Sequence, residues 1–341
     1  MTNQASEQLV PIALDAMGGD HGPAETVAGA VEAAQRGGVA VALVGDEQAL
    51  KTELERHDVG KLPLQIIPSE GVVAEGEAPA RAFRSKPKAS IFVATHLAQS
   101  GKASAVVSMG STGATIAAAT VLFGVFDGID RGALGGPMNG LSPHTIVIDL
   151  GTNIDCKPQQ IADFAALGTV LSRVVYRVES PRVALLSVGA EEGKGNNQIK
   201  AATDLLKASG LNFIGNIEAY DIPFDRADVV ACDGFAGNIV MKLTEGIGDS
   251  LVSDVRRQMA GQVSEEVLDS LCSRIHSITN QAETHGGGPI FGVNGVSIVG
   301  HGRAQAGAIA NAIHTARRAV LADFVEEARA ELGRIRQNIH G

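Results

Sequence analysis

The sequence predicts an α/β protein built on a mostly parallel sheet. Two observations point to this fold class: apolar, β-branched runs alternate with helix-like segments, and glycine-rich loops follow many of the apolar runs. Near-continuous apolar runs are typical of parallel strands that helices cover on both faces. With 341 residues, the chain can bury a large core as one α/β unit or as two lobes that share a sheet.

The predicted strands are short apolar runs bounded by turn residues. They cover residues 10–14, 39–44, 64–67, 105–108, 145–150, 182–188, 212–216, 229–232 and 296–299. The segments between them have helical periodicity and suitable ends, and Pro158 suits the first turn of its helix. These predicted helices cover residues 24–36, 48–56, 90–99, 112–123, 158–177 and 197–208. The stretch 127–143 has no regular pattern, and we predict a loop there.

A different pattern occupies residues 238–281, where apolar residues recur every four positions from Leu243 to Ile275. On one straight helix such a stripe would drift by about 40° per step. A break at Gly261, with Ser264 as the next N-cap and an acidic first turn after it, resolves the drift. The segment therefore predicts two helices in a hairpin, packed either on the same chain or on a second subunit.

Composition excludes several classes of protein. The net charge of −10, the absence of Trp and the presence of only 2 Tyr disfavour a nucleic-acid partner. Three widely spaced cysteines, Cys156, Cys232 and Cys272, suit a reducing compartment rather than a disulfide framework. The longest apolar run, 114–126, is shorter than the ~20 residues of a membrane span. We therefore expect a soluble, cytoplasmic protein.

The familiar cofactor motifs are missing from the sequence. No P-loop, no G-x-G-x-x-G between a strand and a helix, no G-x-S-x-G elbow and no metal-ligand spacing occurs, so we expect no cofactor and no metal. Glycine is abundant, at 41 of 341 residues, roughly 12% against a usual ~7%. Glycine loops at strand ends can bring bare N–H groups close to an anion, which indicates a phosphate-like substrate.

Two of these loops lie in the first third of the chain. Asp15, Gly18 and Gly19 follow the first predicted strand. Ser111, Thr112 and Gly113 lead straight into a predicted helix, where N–H groups and hydroxyls can hold a phosphate. Turn glycines with an ordinary N-cap would explain the second loop equally well.

Three further loops come later in the sequence. Lys194 lies between two glycines and would either screen an anion or be a solvated loop lysine. Asp233 follows a strand, and Asn238 close behind it is either an N-cap or a substrate donor. His301 lies between two glycines after the last predicted strand, where a single histidine more often has a structural role.

Taken in order, the glycine loops resemble those of bacterial phosphate acyltransferases, the acyl-carrier-protein:phosphate acyltransferases. The matching segments are 14–20, 108–118, 149–158, 233–238, 291–295 and 300–302. The resemblance implies a three-layer α/β/α sandwich with a mostly parallel sheet, related to phosphotransacetylases and to the isocitrate/isopropylmalate dehydrogenase fold. It also implies a homodimer. From chain length and the apolar pattern we expect a single domain over residues 1–341, with two lobes sharing a sheet and the protruding hairpin at 238–281 as a dimer contact.

The resemblance implies one reaction, in which orthophosphate attacks the thioester of a long-chain acyl carrier protein. Acyl phosphate and free carrier protein result, and a membrane glycerol-3-phosphate acyltransferase uses the acyl phosphate in phospholipid synthesis. By resemblance, Lys194 and Asn238 are the catalytic residues. The predicted substrate- or phosphate-binding residues are Asp15, Gly18, Gly19, Ser111, Thr112, Gly113, Asp233 and His301.

The chain departs from the family in two places. Ser111 stands where the family usually has Asn, so a hydroxyl replaces a carboxamide there. The hairpin tip around Gly261 is more polar than the apolar tip associated with membrane docking in the family. We accordingly expect a cytoplasmic enzyme with weak peripheral membrane contact at most.

Other functions remain open at this point. A phosphotransacetylase acting on short-chain acyl-CoA would use similar loops. A decarboxylating dehydrogenase shares the fold, but the chain lacks a convincing set of metal-binding aspartates. A non-catalytic scaffold for lipid synthesis would have no need of so many glycine loops at strand ends.

Acyl carrier protein is acidic, so a chain of net charge −10 needs a local basic patch to bind it. The densest candidate contains Arg81, Arg84, Lys86 and Lys88, with no acidic residue between them. We expect this run to dock the carrier protein, although a solvated charged turn is an equally common explanation.

Overall fold

The computed structural model describes residues 9–340, and of His285 the backbone only. Residues 1–8 and 341 of the predicted domain lie outside the described residues. The strands are β1 Val10–Asp15, β2 Val39–Gly45, β3 Leu64–Pro68, β4 Ala105–Ser108, β5 Ala133–Pro137, β6 Ile146–Ile148, β7 Val183–Leu186, β8 Phe213–Ile217, β9 Val229–Ala231, β10 Gly288–Phe291 and β11 Val296–Val299.

The α-helices are α1 Gly22–Arg36, α2 Glu47–Leu54, α3 Pro79–Ser85, α4 Ser90–Gln99, α5 Thr112–Ala118, α6 Pro158–Val174, α7 Asn197–Ala208, α8 Gly234–Met259, α9 Glu265–Thr279, α10 Gln281–His285, α11 Ala306–Leu321 and α12 Phe324–His340. A π-helical turn, Ala119–Phe123, continues α5, and a 3₁₀ segment covers Ala219–Phe224. The fold divides into two compact units.

Unit 1 comprises the residues up to Gly132 together with Glu283–Glu326. Its strands lie in the order β3-β2-β1-β4-β11-β10, parallel throughout except for β10, which runs antiparallel to β11. Helices α1 and α11 pack together on one face of this sheet, and α4 and α5 cover the other. The carboxyl ends of the parallel strands therefore share one edge, from which the glycine loops start.

Unit 2 comprises Ala133–Ala282 and the residues from Glu327 on. Its strands lie in the order β5-β6-β9-β7-β8, and all pairs are parallel except β5 with β6. Helix α6 covers one face, and the 3₁₀ segment with the start of α8 covers the other. The predicted α/β class with a mostly parallel sheet and helices on both faces is confirmed.

The helical hairpin begins earlier than expected but breaks where predicted. Helix α8 starts at Gly234 and ends at Met259, and Ser264 caps α9 by accepting a hydrogen bond from the Val267 amide. The two helices pack against each other, and Arg256 of α8 forms a 2.8 Å ion pair with Asp269 of α9. The expectations of a shared sheet and of a hairpin contact between subunits stay predictions.

The loop predicted at 127–143 is wrong in part, because residues 133–137 form β5. The sequence ALGGP of this strand consists largely of residues that rarely occur in strands, so its composition hides it. Strand β10 also went unpredicted, since it has only four residues and begins with Gly and Pro. Each of these two strands runs antiparallel to a parallel strand of its own unit.

Candidate functional site

The first glycine loop of unit 1 folds around the carboxyl group of Asp15. Asp15 and Ser108 end the neighbouring strands β1 and β4 in register, and Ser108 Oγ donates to Asp15 Oδ2 at 2.7 Å. Both residues are buried. Burial raises the pKa of the Asp15 carboxyl, while the hydrogen bond from Ser108 opposes the rise. The Asp15 carboxyl thus shapes its loop from within.

Ser108 also holds the second loop of unit 1, because its Oγ accepts the Gly110 amide at 3.0 Å. A Cβ atom on Gly18 would lie 2.7 Å from Asp15 Oδ2 and 2.7 Å from the Gly110 nitrogen, so only glycine fits. A third loop joins them, since the Asp20 amide donates to the Gly302 carbonyl at 2.8 Å. The loops after β1, β4 and β11 therefore meet at one edge of the sheet.

The predicted phosphate loop opens α5 in the expected way. Ser111 is the N-cap, and its hydroxyl accepts from the Ala114 amide at 3.4 Å. Capping therefore uses the Ser111 hydroxyl. The first amides of a helix, here those of Thr112 and Gly113, have no partner within the helix. His301 lies half-buried in the loop after β11, where its Nδ1 accepts from the Arg303 amide at 3.4 Å.

In unit 2, the loop after β6 folds around Asp149, which is completely buried. Its Oδ1 accepts from the amides of Gly151 and Thr152, both at 3.0 Å, and from the Leu134 amide at 3.3 Å. Its Oδ2 accepts from the backbone amide and the side-chain amide of Asn153, at 2.7 and 2.8 Å. All of these N–H groups donate to the buried Asp149 carboxylate, so they are not directed at a bound anion.

Helix α8 starts against this Asp149 turn. Asp233 is the N-cap, and its carboxylate accepts from the Ala236 amide at 2.8 Å. A Cβ on Gly237 would lie 1.9 Å from the Asp149 carbonyl oxygen, so glycine is required for this contact. Asn238, the next residue, is exposed beside Gly151, and no described residue forms a hydrogen bond with its carboxamide. Asn238 is therefore not the cap, and its carboxamide is open to a ligand.

Lys194 lies in the loop between β7 and α7, at the same edge of unit 2 as the Asp149 turn. The loop is tied down by its backbone, since the Lys194 amide donates to the Glu191 carbonyl at 3.1 Å. Gln198, in the first turn of α7, donates a hydrogen bond to the Cys156 carbonyl at 2.5 Å. This bond joins the start of α7 to the segment that follows the Asp149 turn. The Lys194 side chain is exposed, and it has no ion-pair partner among the described residues.

The cysteines near this turn are poor nucleophiles. Burial, reinforced by the Asp149 charge, raises the pKa of the half-buried Cys156 to about 12. Burial also raises the pKa of Cys232 well above its usual value. Both are therefore thiols rather than thiolates near neutral pH. Between residues 9 and 340, no group of three His, Cys, Asp or Glu side chains is placed to hold a metal ion.

The basic run of unit 1 is half neutralised by residues outside it. Lys86 forms a 2.7 Å ion pair with Glu77, and Lys88 forms one of 2.9 Å with Glu70. Arg81 and Arg84 are exposed on α3. Two of the four predicted cations, Lys86 and Lys88, are therefore already paired within the protein, so the run offers a partner less positive charge than the sequence predicted.

The sequence analysis missed Ser108 and Asp149 as site residues. A signal existed, because an aspartate ends or follows a strand in both units and glycine follows within three residues. Short polar side chains in this position commonly bind the backbone of the following turn. The structure brings Asp15, Gly18, Gly19 and the 110–113 loop together in unit 1, and Asp233 and Asn238 together with Asp149 in unit 2.

Comparison with known proteins gives a consistent result. The model of a family described as "Fatty acid synthesis protein" matches residues 10–327. The "Phosphate acyltransferase" of Synechocystis sp. is 43% identical over 316 residues, which cover 91% of this chain and 90% of that protein. The protein of the same name from Heliobacterium modesticaldum is 42% identical over 323 residues, covering 92% of this chain and 95% of that protein.

Solved structures agree on the fold. A phosphotransacetylase from Streptococcus pyogenes aligns with a TM-score of 0.60 at 18% identity, covering 92% of this chain and 94% of its own. A 4-hydroxythreonine-4-phosphate dehydrogenase from Klebsiella pneumoniae aligns with a TM-score of 0.50 at 16% identity, covering 93% and 99%. At these identities the likeness shows the fold alone. Among the helices of residues 9–340, none is long and apolar enough to cross a membrane.

Proposed function

The chain belongs to the phosphate acyltransferase family, and we propose that it transfers a long-chain acyl group from acyl carrier protein to orthophosphate. The products are acyl phosphate and free carrier protein, and the reaction belongs to phospholipid synthesis. The observation that carries this function is the match to phosphate acyltransferases, which extends through both units.

The reaction makes modest demands on the protein. A phosphate oxygen forms a bond to the thioester carbonyl carbon, the C–S bond breaks, and the sulfur leaves as a thiolate. Phosphate is an anion near pH 7, so it needs little general base, and a thiol of pKa about 8.5 is a good leaving group. The protein must orient the phosphate anion against the thioester and stabilise the oxyanion that forms on the carbonyl oxygen.

Asn238 and Lys194 supply these effects in unit 2. The free carboxamide of Asn238 can donate to the thioester carbonyl oxygen or to phosphate, and the Asp149 turn fixes the helix that carries it. The exposed ammonium of Lys194 screens the charge of phosphate and of the transition state. The high thiol pKa values of Cys156 and Cys232 argue against a covalent intermediate on cysteine.

Within unit 1, the loops after β4 and β11 offer polar groups that suit a phosphate. Thr112 and Gly113 offer amides at the start of α5, and His301 is a further polar group at the same edge. Gly18 and Gly19 allow the loops to approach one another. Asp15 is 2% exposed and engaged with Ser108, so we assign it to shaping the loop rather than to touching phosphate.

We also propose that the hairpin is a homodimer contact. Large apolar side chains on α8, spaced four apart, are between 47% and 61% exposed; they are Phe235, Ile239, Leu243, Ile247 and Leu251. Val267 and Leu271 of α9 are exposed as well, and we call all these side chains together the apolar stripe. Several large exposed apolar side chains on one hairpin commonly mark a protein interface.

The product suggests where the enzyme works. A long-chain acyl phosphate is amphipathic, and its hydrocarbon chain is more stable in a bilayer than in water. We propose a cytoplasmic enzyme with weak peripheral membrane contact, which supplies a membrane glycerol-3-phosphate acyltransferase.

One assay tests this function. Purified protein is mixed with palmitoyl-[acyl carrier protein] and orthophosphate, and free carrier protein is measured by its thiol. We expect release that requires phosphate, with acyl phosphate trapped by hydroxylamine in equal amount. Faster turnover of acetyl-CoA than of palmitoyl-carrier protein would instead indicate a phosphotransacetylase.

A further inference from the structure

The loop that carries Lys194 in unit 2 is fixed on both sides of this residue. The Lys194 amide donates to the Glu191 carbonyl at 3.1 Å, which closes a turn. Beyond Lys194, Asn196 caps α7 by accepting a hydrogen bond from the Ile199 amide at 2.9 Å. The backbone at Lys194 is therefore held between a closed turn and a capped helix.

A side chain of the neighbouring strand binds both ends of this turn. Asn216 of β8 is in register with Leu185 of β7, close to the strand end from which the loop starts. Its Nδ2 donates to the carbonyl oxygens of Glu191 and Lys194, each at 3.5 Å. Hydrogen bonds of this length are individually weak, but the shared donor joins both ends of the turn to the sheet.

The stem of the Lys194 side chain lies across Gly189, which follows β7. A Cβ atom on Gly189 would lie 3.1 Å from Lys194 Cγ and 3.4 Å from Lys194 Cδ, and the Lys194 stem would have to move by a few tenths of an ångström. The φ of Gly189 is not positive, so the backbone conformation does not require glycine there. The absence of a side chain at Gly189 instead makes room for the lysine stem.

A lysine needs such support if its charge is to act on a transition state. Its stem is long and flexible, and a charge stabilises a transition state best when it is already in place. We propose that Gly189 and Asn216 are positioning residues for Lys194. Gly189 leaves space for the stem, and Asn216 holds the turn from which the stem starts. This inference rests on the proposed function, in which Lys194 screens the charge of phosphate and of the transition state.

A methyl group on Gly189 separates positioning from a general structural role. Gly189→Ala should lower kcat about tenfold at an unchanged Tm, because it displaces the Lys194 stem and its charge. Lys194→Ala removes the Cγ and Cδ atoms that this methyl group would meet, so in that background Gly189→Ala should change the residual kcat by less than about twofold. Gly333→Ala is the matched control, since it adds a methyl group in open space on α12 of the same unit and should leave kcat unchanged.

Asn216→Ala tests the other half of the inference with a different contact. It removes both hydrogen bonds to the turn, so kcat should fall severalfold in wild type and by less than about twofold in Lys194→Ala. Asn212→Ala is the matched control, because the Asn212 carboxamide donates to the Ser180 carbonyl, outside the loop. Equal losses with and without the Lys194 side chain would show a general structural effect and overturn the inference.

A spectroscopic measurement separates this inference from the proposed function, because it needs no turnover. Reductive methylation with carbon-13 formaldehyde labels each lysine amine, and the Lys194 NMR signal is the one missing from Lys194→Ala. Gly189→Ala and Asn216→Ala should each move this signal and leave that of Lys242, which is paired with Glu245 on α8, in place.

A Lys194 signal that keeps its wild-type position in one variant would remove that residue from the inference, and in both variants would overturn it. Absence of phosphate-dependent turnover by wild-type protein would overturn the proposed function, while the spectra still decide whether Gly189 and Asn216 position Lys194.

Discussion

Gly151 lies so close to Asn238 that a Cβ on Gly151 would be 3.2 Å from the Asn238 side-chain oxygen. Gly151 also has a φ of 133°, a value that side chains rarely allow. Its amide is held by Asp149, whose carboxylate organises the whole turn. A buried carboxylate thus sets the backbone against which the exposed carboxamide of Asn238 rests.

Replacing Asn238 tests whether this carboxamide acts on the substrate. Asn238→Ala should reduce kcat by roughly 10²–10³, the scale for losing one donor to a developing oxyanion. Its Tm should stay close to wild type, because Asp233 and not Asn238 caps α8. The control Asp233→Ala should cost about 1 kcal/mol of stability through the lost cap. A large fall in Tm for Asn238→Ala would contradict the assignment.

Lys194 offers a second test of the chemistry. Lys194→Ala should lower kcat by roughly 10²–10³ for loss of a transition-state charge contact. The fold should be unaffected, since the side chain is exposed and the loop is held by backbone hydrogen bonds. Lys207→Ala is the control, because Lys207 is a nearby exposed lysine paired with Glu192. If Lys194→Ala keeps activity within a few-fold of wild type, Lys194 lies outside the site.

Much of the fold follows from local patterns in the sequence. The strands at 105–108 and 296–299 and the helices at 90–99 and 197–208 have the predicted bounds, because apolar periodicity and turn residues are local signals. Strand β5 was missed because its Gly and Pro residues are held by pairing with β6, which local propensity does not encode.

The site was less predictable, because its key contacts join residues far apart in sequence. Asp15 and Ser108 are 93 residues apart and meet only through the register of β1 and β4. The ion pair of Lys88 likewise uses Glu70, 18 residues away, outside the basic run that composition highlighted. Sequence located the loops, whereas three-dimensional pairing decides which polar groups remain free in them.

The apolar stripe predicts a homodimer. Leu243→Asp together with Leu251→Asp should convert a dimer into monomers, because each substitution places a charge in a buried interface. Light scattering measures the change in mass. Ser253→Asp is the control, since it adds a charge to the same helix about 200° around from Leu251. A monomeric wild-type protein would remove the hairpin contact from the proposal.

The buried carboxyl of Asp15 predicts an unusual dependence of stability on pH. Burial raises the pKa of Asp15 above its ordinary value of 3.8. Above about pH 3.8 Asp15 therefore keeps its proton in the folded protein but has lost it in the unfolded chain. Between this pH and the folded pKa of Asp15, the free energy of unfolding therefore falls as pH rises. Asp15→Asn cannot ionise, so the stability of this variant relative to wild type should increase with pH over the same range.

Urea unfolding of both proteins at several values from about pH 2 to 8 measures this difference, and groups common to both cancel. Asp228→Asn provides a control of opposite sign. Burial favours a higher pKa for Asp228, but hydrogen bonds from the side chain and backbone of Arg182 outweigh it and lower the pKa. The Asp228 contribution is thus fully present above the unfolded pKa of 3.8 and lost on acidification toward the lower folded pKa. In the acidic part of the range this variant should therefore lose stability relative to wild type as pH rises, and above about pH 5 the difference should be constant. If the difference for Asp15→Asn were independent of pH, the Asp15 carboxyl would titrate alike in the folded and unfolded chains, and its assignment as the buried centre of the first glycine loop would be wrong.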